Sequence, residues 1–141
     1  MKNWTYEGEQ ITSLEQVPEG AIGFIYLMTN VDGHFYLGKK SLYSTVTRPP
    51  LKGARAKRKI TKQSNWLTYR SSNKVVKDWE DYEIVNRTII NWAYTKKHGT
   101  YLECHALFSL NVLRNPMCMN DNILGRFFSS DLDFLPDSPK Q

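Results

Sequence analysis

The chain has 141 residues, 40% of them hydrophobic and 13% aromatic, which suits one domain with one core and excludes both global disorder and two full domains. The formal net charge of +5 at pH 7 favours polyanionic partners. The apolar run from Ala21 to Met28 is far shorter than the ~20 residues that cross a bilayer, and residues 1–10 hold no apolar signal core. A soluble intracellular protein with no membrane partner is expected.

Residues 1–20 read as an N-terminal extension, with one weak helical turn after Ser13 and a turn at Pro18-Glu19-Gly20. Residues 21–29 (AIGFIYLMT) form a continuous apolar, β-branched and aromatic run, the composition of a central strand. Asn30-Val31-Asp32-Gly33 follows, a hairpin signal because Asp and Gly both tolerate positive φ, and residues 35–39 read as the returning strand. Residues 44–63 are basic, are broken at Pro49-Pro50, and read as an exposed loop with a helical turn around Ala54 to Lys59. A short helix is expected over 64–69. Another is expected over 72–81, N-capped by Ser71 or Ser72, with Val75, Val76 and Trp79 on its buried side. Residues 82–90 alternate and are rich in Ile, Val and Thr, so they read as a third strand.

From Thr95 or Thr100 to Leu113 the pattern turns helical, with Leu102, Ala106, Leu110 and Leu113 at spacings of three and four. Asn115-Pro116 ends that helix. Residues 117–130 read as irregular or one short element, and 131–141 as a flexible tail. The order implies an α+β domain over 21–130, a small three-stranded antiparallel sheet flanked by helices and carrying a basic insertion at 44–63.

Charge is concentrated in that insertion. Arg48, Lys52, Arg55, Lys57, Arg58, Lys59 and Lys62 are seven of the 19 basic residues, with no acidic residue among them. Nucleic acid is the commonest partner for such a run, and a solvated lysine-rich loop is the plainer reading. Cys104 and Cys118 make no disulfide framework, and with His98 and His105 they lack the paired spacing of a zinc site. Buried free thiols fit them better.

Tyr26 lies near the end of the first strand and Tyr36 early in the second, so a hairpin can set them across from one another. Two such phenols can be no more than a packed aromatic pair. Gly38 would then be a bulge or a place where another group approaches closely, with Lys39 and Lys40 following at once.

These residues resemble the GIY-YIG nuclease family. The triplets here are Phe24-Ile25-Tyr26 and Tyr36-Leu37-Gly38, ten positions from tyrosine to tyrosine. Phe24 replaces the first family glycine, although Gly23 precedes it, and Leu37 replaces the second isoleucine. Downstream, Arg70-Ser71-Ser72 resembles the family's helix junction, and Trp66-x-x-Tyr69-x-Ser71-Ser72 resembles its phage-encoded branch. Glu103 stands where the family carries an essential glutamate on the helix after the third strand. In Met119-Asn120-Asp121-Asn122-Ile123, Asn120 is the better match to the family asparagine and Asn122 the second.

The resemblance implies a DNA endonuclease leaving 5′-phosphate and 3′-hydroxyl ends, with Mg²⁺ or Mn²⁺ as cofactor. Duplex or branched DNA would be the substrate, in the cytoplasm of a bacterium or a phage-infected host cell. Cutting both strands would take a homodimer or two successive nicks.

The residues themselves leave two readings for Glu103. Thr100-x-x-Glu103 is a capping-box pattern. Yet Glu103 also lies beside the apolar stripe, where a carboxylate needs a partner, and the resemblance makes that partner a metal ion. A single carboxylate suits Mg²⁺, which keeps several waters and takes phosphate oxygens.

The resemblance also makes Tyr26 the general base and Tyr36 the group that orients water or phosphate, with Lys39 favouring the phenolate. The family's phosphate-gripping cation is expected about ten residues after Tyr36, which falls at Val46. Arg48, Arg55, Arg58, Lys59 and Arg70 therefore stay as candidates, with Lys39 or Lys40 as substitutes. Arg58 is carried among the catalytic residues. Lys40, Arg48, Arg55, Lys57, Arg58, Lys59, Lys62, Arg70, Ser71 and Ser72 are expected to bind DNA, largely through its backbone. The alternatives are a catalytically inactive nucleic-acid-binding protein of the same fold, and an unrelated RNA-binding domain that uses the basic loop.

Overall fold

Residues 1–136 are described in a computed structural model. Residues 137–141, the end of the expected flexible tail, lie outside the described residues. The three strands expected from the apolar run, the hairpin signal and the alternating stretch are present as β3 (Gly23–Asn30), β4 (Phe35–Ser41) and β7 (Ile84–Ala93). The sheet is larger than a three-stranded antiparallel one. With β1 (Trp4–Tyr6) and β2 (Glu9–Ile11), its five strands run in the order β2-β1-β7-β3-β4, and β1 pairs with β7 in parallel.

The reason lies in residues 1–20, which are part of the fold. β1 turns into β2 (Glu9–Ile11) through Glu7-Gly8, both at positive φ, the conformation of the tightest hairpin turn. Trp4 is fully buried, and its indole Nε1 donates to the Trp66 carbonyl at 2.7 Å. A three-residue strand leaves no period to read, so tertiary packing alone defines it.

Both faces of the sheet are covered. Trp4, Phe24, Tyr26, Met28, Trp66 and Trp92 pack on one face, under the single 3₁₀ turn Trp66–Thr68 and α1 (Lys74–Lys77). Ile25, Leu37, Leu107, Leu113 and Cys118 pack on the other, under α2 (Lys96–Ser109). The helix expected over 72–81 shrinks to the four residues of α1. Asn73 is its N-cap, and the Asn73 side chain accepts from the Val75 and Val76 amides. Val75 faces solvent. In α2 the buried leucine is Leu107; Leu110 ends the helix exposed, and Asn111 turns the chain in a left-handed conformation.

The basic insertion is not a loop. It is a second, two-stranded sheet of β5 (Tyr43–Arg48) and β6 (Arg58–Gln63), paired from Tyr43↔Gln63 to Arg48↔Arg58. The 117–130 stretch contains one more small hairpin, β8 (Asn122–Ile123) with β9 (Phe127–Phe128), and residues 129–132 form a 3₁₀ turn. No helix among the described residues is long and apolar enough to cross a membrane.

Candidate active site

β4 is the edge strand of the large sheet, and the candidate residues gather along it. The two tyrosines do not stand directly opposite. Tyr26 pairs with Gly38 and Tyr36 with Met28, so the phenols are diagonal neighbours on one face, ring centroids 6.3 Å apart. The Tyr26 ring lies across Gly38. A Cβ at Gly38 would sit 2.5 Å from Tyr26 Oη and 2.6 Å from Cζ, so this glycine is the floor for a side chain. Gly23, at the start of β3, has the same requirement, because a Cβ there would lie 2.8 Å from the Lys40 carbonyl oxygen. A one-residue bulge between β3 and β7 falls at Ile25/Tyr26, and bulges of this kind re-aim neighbouring side chains.

Tyr26 and Tyr36 differ in access. Tyr26 is 1% exposed, and burial pushes its phenol far above the ordinary tyrosine range. Tyr36 is partly buried and lines a cavity of about 260 Å³. Its phenol is also raised, by burial first, with the Glu103 charge adding to the rise. Hydroxyls of Ser71 and Ser72 hydrogen-bond Tyr36 and act in the opposite sense. Ser71 is buried, holds φ at +107°, and its side chain also bonds Tyr26. A non-glycine residue there is strained by roughly 1–3 kcal/mol, and such strain gathers at functional sites.

Glu103 lines the same cavity, together with Asn73, Asn120, Asp121 and Asn122. It is not a cap. Thr95 caps α2 by accepting from the His98 amide, while Thr100 lies inside the helix and back-bonds to the Lys96 carbonyl. Burial raises the Glu103 carboxyl, and Lys39 acts against that rise. Lys39 Nζ itself donates to Thr100 Oγ1 at 3.1 Å, its stem packed near Gly99. The ion pair found among the described residues is Arg70–Asp81 at 3.3 Å, so Glu103 has no cation within 4 Å. A desolvated carboxylate beside a polar cavity fits a divalent cation that keeps its own waters. No group of three His, Cys, Asp or Glu side chains placed to hold a metal ion occurs among the described residues; Asp121 lines the same cavity as Glu103.

Asn120 is placed differently from a reacting group. Its amide donates to the Leu37 carbonyl at 2.8 Å, and its Oδ1 accepts from the Leu37 amide at 2.9 Å and from Cys118 Sγ at 3.2 Å. The side chain thus pairs with β4 as a strand backbone would, between Tyr36 and Gly38. Phe35 and Met119 continue that pairing through their backbones.

The cations expected at the site are scattered. Lys39 and Lys40 line a second cavity of about 320 Å³, with Lys96 and Thr100 from α2. Lys40 Nζ also lies 4.2 Å over the Tyr69 ring. Arg70 holds Asp81, and Ser71 is buried against the phenols. Arg58 is exposed on β6 and donates to the Pro49 carbonyl; it does not line the cavity of Tyr36 and Glu103. Arg48, Lys59 and Lys62 share its ribbon.

Arg87 was missed. It is 2% exposed on β7, 3.9 Å over the Trp4 ring, and donates to the carbonyls of Lys2, Leu67 and Tyr69. Burial lowers its guanidinium to about 10. It clamps the segment that leads into Ser71. The signal was its parity with Ile89 on the alternating strand, which placed a cation on the buried face.

A mixed sheet whose edge strand carries a tyrosine-glycine triplet, with a helix glutamate closing the cavity, defines a nuclease-like α+β domain. Residues 4–126 match the family described as "Putative endonuclease segE, GIY-YIG domain". The chain belongs to the GIY-YIG nuclease family. No curated protein and no solved structure gave a significant match.

Proposed function

We propose that the protein is a divalent-metal-dependent DNA endonuclease that hydrolyses phosphodiester bonds to 5′-phosphate and 3′-hydroxyl ends. One observation carries this reading: Tyr36, Glu103 and the Asn120–Asn122 segment, distant in sequence, line one cavity beside the edge strand β4. Glu103 would hold Mg²⁺ or Mn²⁺, with Asp121 beside it. Such an ion, when bound, supplies positive charge to the phosphate and to the leaving 3′ oxygen.

The protein's own groups do the rest. Tyr36, the phenol on the cavity wall, takes the proton of the attacking water, in place of the buried Tyr26. Ser71 and Ser72 hold that phenol and favour its ionised form. Tyr26 packs across Gly38 and keeps β4 and Ser71 in register. Asn120 is a positioning residue that fixes Leu37. Lys39 and Lys40 lie next along β4, where they would meet the phosphates flanking the cut.

Plasmid nicking in Mg²⁺ or Mn²⁺ tests the proposal, with Glu103→Ala and Tyr36→Phe beside wild type. Wild type is expected to nick, and both variants to fail. Equal nicking by all three would mean a contaminant and would overturn the reading. A wild type that binds DNA and never nicks would make this a binding protein of the same fold.

A further inference from the structure

We propose that the β5–β6 ribbon enters the major groove of the duplex and reads base edges there, within about one helical turn of the cut. The inference rests on the reading of the substrate as DNA. All six residues of β6 and four of six in β5 are exposed, and the two strands form a sheet of their own. An isolated two-stranded ribbon is marginally stable in water. This one also sets Arg48 directly opposite Arg58, and like charges in that relation repel. A polyanion alongside would remove the repulsion.

The charge balance agrees. The ribbon and its connecting loop hold seven of the 19 basic residues and none of the 14 acidic ones. The rest of the molecule, with twelve basic and fourteen acidic residues, is net acidic.

Shape selects the groove. Paired strands lie ~4.8 Å apart, and the major groove, ~12 Å wide, admits a two-stranded ribbon without deformation, whereas the ~6 Å minor groove takes one only when the duplex is bent or opened. Tyr43, Thr45, Thr47, Lys59, Thr61 and Gln63 share one exposed face, rich in the hydroxyl, amide and ammonium groups that base edges pair with. Arg48, Arg58 and Lys62 share the other face, long enough to reach phosphates at the groove rims. The ribbon is anchored at its base, where Leu42 donates to Ile22 and Ser64 to Leu42, each at 2.8 Å. That base follows β4, about 17 Å of strand from Tyr36, and the ribbon extends about 20 Å further. At ~3.4 Å per base pair this is roughly one turn. The lysine-lined cavity of Lys39, Lys40 and Lys96 lies between.

Binding is measured in EDTA, so that no cutting is needed. Wild type selects duplexes from a randomised pool, and guanine N7 methylation, a major-groove change, is mapped for interference. A triple variant, Thr45→Ala with Thr61→Ala and Gln63→Ala, removes face groups without removing charge. Expected are N7 interference within about one turn of the cut, and a tenfold or greater loss of preference for selected over random DNA at an unchanged salt slope. Interference confined to minor-groove adenine N3, or a triple variant that keeps the wild-type preference, overturns the ribbon reading. An intact N7 pattern from a protein that never nicks would overturn the nuclease reading alone.

Discussion

Tyr26 and Tyr36 carry the same phenol in different surroundings. Both are raised by burial and both are opposed by Ser71, but the one beside the cavity also has the Glu103 charge next to it and Ser72 opposing the rise. A base with a raised pKa is mostly protonated near neutral pH, so its active fraction grows with pH. Single-turnover cutting is therefore expected to climb from about pH 6 to about pH 9 in wild type. Tyr36→Phe should lose about 10²-fold or more and flatten that climb. Tyr26→Phe should keep the pH dependence and cost about 1–2 kcal/mol of stability, read by urea unfolding, through its lost bond to Ser71.

Glu103 gives a second test. Its folded carboxyl is raised, so the native state binds protons more readily than the unfolded chain, and stability falls as pH rises from about 4.5 through the folded value. Glu103→Gln should melt above wild type at pH 7, with the difference closing near pH 4. Mg²⁺ should raise the wild-type Tm and leave that of the variant unmoved.

Asn120 connects the two sides of the site at the level of elements, because one side chain supplies both hydrogen bonds to Leu37. Asn120→Ala leaves a buried donor and acceptor on β4 unpaired, at a cost of about 2–4 kcal/mol. The Leu37 amide should then exchange faster with solvent, measured by hydrogen exchange. β7 and α2 were legible in the sequence because each runs long enough to show a period, β3 because its apolar run is unbroken, and β4 because Asp32-Gly33 turns the chain back onto β3. β1 and β2 were not, because three residues show none and Trp4 finds its place only against Trp66. The ribbon read as a loop because its only apolar cross-strand pair is Val46–Ile60; without a buried face there is no alternation to see. For the site, chain order was enough to link the tyrosines, Glu103 and Asn120. The hairpin brought the two phenols together, yet it could not tell which reaches the cavity. Val46, at the spacing expected for a phosphate-gripping cation, lies in β5, so spacing alone could not assign that cation either.

For the whole molecule, charge and shape are divided. The net-acidic body holds the cavity while the ribbon carries the cations, so affinity for DNA should depend steeply on salt. Arg58→Ala combined with Lys59→Ala is expected to make the slope of log K against log salt shallower by about 2, read from binding titrations across a salt series. An unchanged slope would remove the ribbon from the interface. The pairing of residues 117–120 with β4 has a bearing on solubility as well. An uncovered edge strand is a template for another chain, and here the backbones of Met117 and Met119, bonded to Phe35, and the side-chain amide of Asn120, bonded to Leu37, close it off. The strand that presents Tyr36 is thus also the one through which copies would zip together into aggregates. Variants that loosen this seam should be recovered as insoluble protein before they are recovered as inactive protein, so the seam guards the molecule against its own kind.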